Sequence, residues 1–216
     1  MIRVTELHKA YGNLQVLRGL SLDIPTAELV AIVGPSGAGK STLLQLMGTL
    51  DKPDKGEVLF NGQSVFTLTD RALADFRNRQ IGFVFQQHHL LPEFTAEENV
   101  LLPAMISGKI TAEKKAYAHE LFELLGVTAR KDHKPAALSG GEQQRFAVAR
   151  ALINKPAVLL ADEPSGNLDT HNAKELHHLF LALREKYKQT IVVVTHNTAL
   201  AELADRKITL VDGLVQ

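Results

Sequence analysis

The sequence predicts an α/β fold: a mostly parallel sheet with helices on both faces, an N-terminal antiparallel β subdomain and an inserted α-helical subdomain. Three observations predict it. An apolar run at residues 29–33 leads into a glycine-rich loop, and residues 43–47 after the loop are helical in character. Two further apolar runs, at 157–161 and 190–195, flank a long helical pattern at 170–187, as buried parallel strands flank a crossover helix. Between residues 87 and 155 the periodicity becomes mainly helical. The 216 residues therefore read as one unit, an α/β core with its β subdomain over 1–86 and 156–216, and a helical subdomain over 87–155.

Each element has its local reason. Residues 2–7 and 16–24 alternate apolar with polar, as half-buried strands do, with Tyr11 and Gly12 expected in the turn between them. Residues 56–62 read as a strand entering the Asn61-Gly62 turn. Residues 70–79 place Leu73 and Phe76 on one helical face, and 81–85 form a strand that Gln86 ends. Thr95 and Glu98 have capping-box spacing, and so do Ser139 and Glu142. Residues 111–125 carry Ala118, Leu121, Phe122 and Leu125 on one stripe. Residues 197–205 are short and helical, and 207–215 hold two short strands around Asp212-Gly213.

Composition narrows the function. Lys and Arg number 24 and Asp and Glu number 24, so the chain lacks the general positive charge of a dedicated nucleic-acid binder, and no nucleic-acid partner is expected. Cysteine is absent, which excludes disulfides and thiolate metal sites. The first residues lack the apolar core of a signal peptide, and no apolar run approaches the ~20 residues that span a bilayer. A cytoplasmic location is expected, with any membrane role exercised through a partner.

The chemistry converges on strand ends. Gly34-Pro35-Ser36-Gly37-Ala38-Gly39-Lys40-Ser41-Thr42 fits G-x-x-x-x-G-K-[ST], the P-loop pattern. Its glycines let backbone N–H groups point inward around phosphate oxygens, and the following helix adds the positive end of its dipole. Lys40 can reach the β- and γ-phosphates, and Ser41 can ligand Mg²⁺. Asp162 closes an apolar strand, where a carboxylate can orient Mg²⁺. Glu163 follows; side chains alternate along a strand, so the neighbour serves a different role, that of general base toward water. Two solvated acids at a strand end are the plainer alternative. His196 ends the next buried strand and can donate to a γ-phosphate. Gln86 can ligand Mg²⁺, position water, or simply terminate its strand. Tyr11 is a packed turn aromatic or a stacking platform for a base. Ser139, Gly140 and Gly141 open a helix with free backbone N–H groups, a second anion cradle or a well-capped helix. One nucleotide needs one cradle, so a second suggests contact with a nucleotide held by another copy.

Over essentially its whole length the chain resembles the ATPase subunits of ABC transporters. Gly34 to Thr42 matches Walker A, Gln86 the Q-loop glutamine, Leu138 to Arg145 the signature motif, Val158 to Pro164 Walker B, Ser165 to Asp169 the D-loop, His196 the switch histidine and Tyr11 the adenine-stacking aromatic. Glu142 stands where many members have Gln. The resemblance implies a head-to-tail homodimer formed on ATP binding, in which Ser139 and Gly141 touch the other copy's γ-phosphate and Asp169 crosses the interface. Residues 162–169 are similar to the branch of lipoprotein-releasing, macrolide-export and cell-division ATPases. Residues 85–95, Glu98-Asn99-Val100 and His133-Lys134-Pro135 are most like the lipoprotein-releasing members. That resemblance implies an integral membrane permease as partner, lipoproteins as indirect cargo, and a peripheral position on the cytoplasmic side of the inner membrane. His88, His89 and Leu90 either cover the helical subdomain or help to receive the permease. A macrolide or peptide exporter, or a cell-division module without transport, is the alternative. A DNA-repair ATPase would need a coiled-coil insertion longer than residues 87–138.

Overall fold

A computed structural model describes residues 2–216. Ile2–Tyr11 (β1) and Leu14–Ile24 (β2) pair antiparallel, with alternate side chains buried. The pairing continues through several register shifts to Tyr11 opposite Leu14, leaving Gly12 and Asn13 as a two-residue turn. Tyr11 therefore ends β1 instead of sitting in the turn, because the bulges let the ladder run further than strict alternation indicates. Lys55–Phe60 (β4) pairs with the other edge of β1, and Gln63–Ser64 (β5) folds back on β4 across Asn61 and Gly62, both at positive φ, 48° and 83°. The order in this antiparallel sheet is β2-β1-β4-β5.

The larger sheet takes Leu29–Val33 (β3), Ile81–Val84 (β6), Val158–Asp162 (β7), Thr190–Val194 (β8), Arg206–Val211 (β9) and Leu214–Val215 (β10) in the order β10-β9-β3-β8-β7-β6. All neighbours are parallel except β9 and β10. Its apolar runs are continuous because both faces are covered, and side-chain alternation divides them between two cores. Leu29, Leu159, Ala161, Ile191 and Val193 face a core shared with Ala96–Ser107 (α3), Ala112–Leu124 (α4), Gly140–Leu152 (α5) and Thr170–Tyr187 (α6). Val30, Ile32, Leu160, Val192 and Val194 face a core shared with Lys40–Met47 (α1), Asp70–Gln80 (α2) and the antiparallel sheet. Leu43 and Leu44 of α1 are fully buried there, each worth about 1.5–3 kcal/mol of apolar burial. Thr198–Glu202 (α7) follows β8.

Both capping boxes form, Thr95 with Glu98 at α3 and Ser139 with Glu142 at α5. The helical region starts later than the periodicity suggests: residues 85–95 contain no helix, and α3 begins at Ala96. The buried Asn99 side chain holds that loop, accepting from Leu91 N at 2.7 Å and donating to the carbonyls of Leu91, Phe94 and Thr95. Among the described residues no helix is long and apolar enough to cross a membrane.

Candidate functional site

Strands β3, β8, β7 and β6 lie side by side and parallel, so their carboxyl ends open on one edge of the sheet. That edge gathers Gly34, Thr195-His196, Asp162-Glu163 and Gln86.

The loop from β3 to α1 has Gly34, Gly37 and Gly39 at φ of 147°, 79° and 98°. A Cβ on Gly34 would lie 2.0 Å from the Leu210 carbonyl oxygen of β9, so this position admits no side chain. Lys40 Nζ donates to the carbonyls of Gly34 and Pro35, both at 2.9 Å, which curls the ammonium over the loop. Tyr11, Leu14, Val16, Ser36, Gly37, Gly39, Lys40, Ser41, Thr42, Glu163 and Val194 line a cleft of about 400 Å³. The structure thus brings Tyr11, the loop and Glu163 to one concavity.

Asp162 joins this group through Ser41, whose hydroxyl donates to Asp162 Oδ1 at 3.1 Å. Burial raises the Asp162 carboxyl above its ordinary range, and the Ser41 hydroxyl partly offsets this. Two hard oxygen donors this close suit Mg²⁺, which takes one or two protein ligands and completes its shell with phosphate and water. Glu163 has a left-handed φ of 46°, fixed by its N–H donating to Val194 O at 2.9 Å. Its side chain meets His196: Oε1 lies 2.8 Å from Nδ1, and Oε2 accepts from His196 N and Thr195 Oγ1, each at 3.3 Å.

Gln86 is held elsewhere. Its Nε2 donates to Asn167 Oδ1 at 3.1 Å, and Asn167 Nδ2 donates back to Gln86 O at 3.2 Å. This reciprocal pair joins the end of β6 to the turn after β7. Asn167 falls within the stretch that resembles the D-loop, but nothing in the sequence names Gln86 as its partner. Gln144 falls within the signature match, but its role is not legible there: fully buried on α5, it donates to Phe85 O at 3.3 Å and Pro164 O at 2.7 Å, and its Oε1 contacts His88 Nδ1. Its spacing from the buried Gly141 and Val148 was the available signal.

Ser139, Gly140, Gly141 and Asp169 do not line the cleft. Ser139 and Asp169 cap their own helices, and Gly141 lies against Asn172 at the start of α6. Ser139 Oγ accepts from Glu142 N at 3.3 Å, and Glu142 Oε2 accepts from Ser139 N at 2.8 Å. The Ser139 amide and Arg130 hold the Glu142 carboxyl below its usual range. Asp169 caps α6, accepting from the amides of Asn172 and His171, which lower its carboxyl likewise. Gly141 packs so closely that a Cβ would lie 2.3 Å from Asn172 Oδ1. Through Gly141 and Asn172 the two helix starts are neighbours.

A family model described as ABC transporter matches residues 17–166. The chain belongs to the ABC transporter family. This ABC cassette is 57% identical over 99% of both chains to the lipoprotein-releasing system ATP-binding protein LolD of Bacteroides fragilis (strain YCH46). It is 51% identical to the protein of the same name from Geobacter metallireducens, over 100% of this cassette and 97% of that one. Among solved structures it superposes on the dimeric bacterial ABC transporter cassette MJ0796 with a TM-score of 0.92, 41% identity and coverage of 100% and 97%. A post-hydrolysis dimer of MJ0796 bound to ADP and Pi gives 0.91 and 40%, with the same coverage.

Proposed function

We propose that the chain is the ATP-binding and ATP-hydrolysing subunit of a transporter that releases lipoproteins from the inner membrane through a separate permease. The observation that carries this is 57% identity to a protein of that name over 99% of both chains.

The cleft supports a division of labour. Backbone N–H groups of the loop and Lys40 bind the β- and γ-phosphates, with the start of α1 adding its dipole. Tyr11 stacks on the adenine. Ser41 and Asp162 would hold Mg²⁺, joined by Gln86 once its pairing with Asn167 opens, and the ion would neutralise phosphate charge. Glu163 accepts a proton from the attacking water, and His196, oriented at Nδ1 by Glu163, donates to the γ-phosphate. Ser139, Gly140, Gly141 and Asp169, which do not line their own cleft, complete that of a second copy in a head-to-tail homodimer. Because those contacts exist only in the closed pair, ATP shifts an open–closed equilibrium toward closure and hydrolysis releases it. The cassette sits on the cytoplasmic face of the inner membrane, attached through the permease, and touches its lipoprotein cargo only indirectly.

The test is reconstitution. The chain, co-purified with its permease into proteoliposomes carrying a lipoprotein, is expected to release that lipoprotein on addition of ATP and Mg²⁺. A complex that hydrolyses ATP and exports a macrolide or peptide, yet leaves lipoprotein in the bilayer, contradicts the reading.

A further inference from the structure

We propose that Lys9 and Asp51 are positioning residues that clamp Tyr11 as a rigid platform before nucleotide arrives. They thereby set affinity for the base-bearing nucleotide separately from affinity for its phosphates. The proposal rests on the reading of Tyr11 as the adenine platform.

Tyr11 is half exposed, 48%, and a free tyrosine at a strand end samples several rotamers. Here it does not stand free. Its hydroxyl donates to Asp51 Oδ2 at 2.7 Å, and the other oxygen of that carboxylate accepts from Lys9 Nζ at 2.8 Å. The Lys9 ammonium also donates to Lys52 O at 2.7 Å and lies over the Tyr11 ring, 5.1 Å from its centroid. Lys9 is buried at 9% exposure, so the ammonium is held firmly between ring and carboxylate. A second carboxylate ties down the same strand end: Asp54 Oδ2 accepts from Ala10 N at 2.7 Å, while Asp54 N donates to His8 O at 2.9 Å.

The position of Asp51 gives the clamp its meaning. α1 begins at Lys40 in the phosphate loop, and the turn just after α1 carries Asp51. The phosphate cradle and the anchor of the aromatic platform therefore belong to one short rigid segment. The distance from phosphates to ring is fixed by a helix, although Tyr11 comes from a different sheet. A side chain ordered in advance does not lose that freedom on binding, and the benefit falls only on ligands that carry a base.

The experiment titrates full-length wild-type chain and variants with ATP and, separately, with inorganic tripolyphosphate, both with Mg²⁺. Tyr11→Phe keeps the ring and removes the tether. It is expected to weaken ATP binding about two- to tenfold, the range for ordering one side chain, and to leave tripolyphosphate affinity unchanged. Asp51→Ala removes the tether and also the carboxylate partner of Lys9, so it is expected to weaken ATP binding at least as much, and adding Tyr11→Phe to it is expected to cost nothing further, because the tether is already gone. Tyr11→Phe binding ATP like wild type while Tyr11→Ala binds it weakly overturns the clamp and leaves the platform standing. Unchanged ATP affinity in Tyr11→Ala overturns the platform and the clamp with it. Equal loss of ATP and tripolyphosphate affinity in Tyr11→Phe makes the cluster a plain structural staple and also overturns the proposal.

Discussion

Glu163→Gln separates catalysis from architecture. The Glu163 side chain is 18% exposed, and both of its oxygens are engaged. Glutamine has nearly the same shape. One orientation of its amide keeps the contact with His196 Nδ1, and the other keeps the acceptor for His196 N and Thr195 Oγ1. Either way part of one hydrogen-bond set is lost, costing about 0.5–1.5 kcal/mol of stability in a fold whose backbone here is fixed by the bond to Val194 O. The chemical effect is much larger. An amide cannot take a proton from water, and losing a positioned base lowers turnover about 10²–10⁴-fold, or roughly 2.7–5.5 kcal/mol in the barrier. Phosphate release at saturating ATP, nucleotide Kd and thermal melting of the same preparation give the three readouts. Near-normal turnover with intact ATP binding would refute the assignment of Glu163 as base. Lost binding together with a collapsed melting temperature would refute the claim that the side chain is structurally replaceable.

Two further outcomes follow from packing. Gly34→Ala places a Cβ 2.0 Å from the Leu210 carbonyl oxygen at a φ of 147°, so urea unfolding should show a loss of about 1–3 kcal/mol, with weaker ATP binding alongside. His177 is buried on α6, 3.2 Å from Ser165 Oγ, and burial, with a smaller contribution from His178, lowers its pKa below the ordinary 6.5. The unfolded chain therefore binds a proton that the fold resists. The stability is fully present above 6.5 and is lost as pH falls from there through the lowered value, at up to about 1.4 kcal/mol per pH unit. His177→Phe should lose less melting temperature than wild type on acidification from about pH 7.5 to about pH 5.5.

Sequence pattern revealed what is local. The phosphate loop, the buried strands and both capping boxes each follow from spacing within a few residues, and the structure forms them where the pattern places them. The polar side chains that tie distant segments together were hidden. Lys9 and Asp51 are separated by 42 residues, and Gln144 and Phe85 by 59, and nothing near either partner names the other. Gln144 and His177 look like ordinary helix polars, although His177 stands one turn from the buried Ala173 and Phe180, which is the trace the sequence holds of its burial. Asn99 is hidden for the same reason: its value lies in the loop carbonyls it satisfies, which have no signature until the chain has folded around them.

The account depends on a phosphate clamp completed by a second copy of the chain. Sedimentation of Glu163→Gln with and without ATP, beside the same variant carrying Ser139→Arg, tests this most directly. Glu163→Gln is expected to become a dimer when ATP is added, and the doubly substituted chain is expected to bind ATP with unchanged affinity yet stay monomeric. Dimerisation of the doubly substituted chain at the same ATP concentration would contradict it.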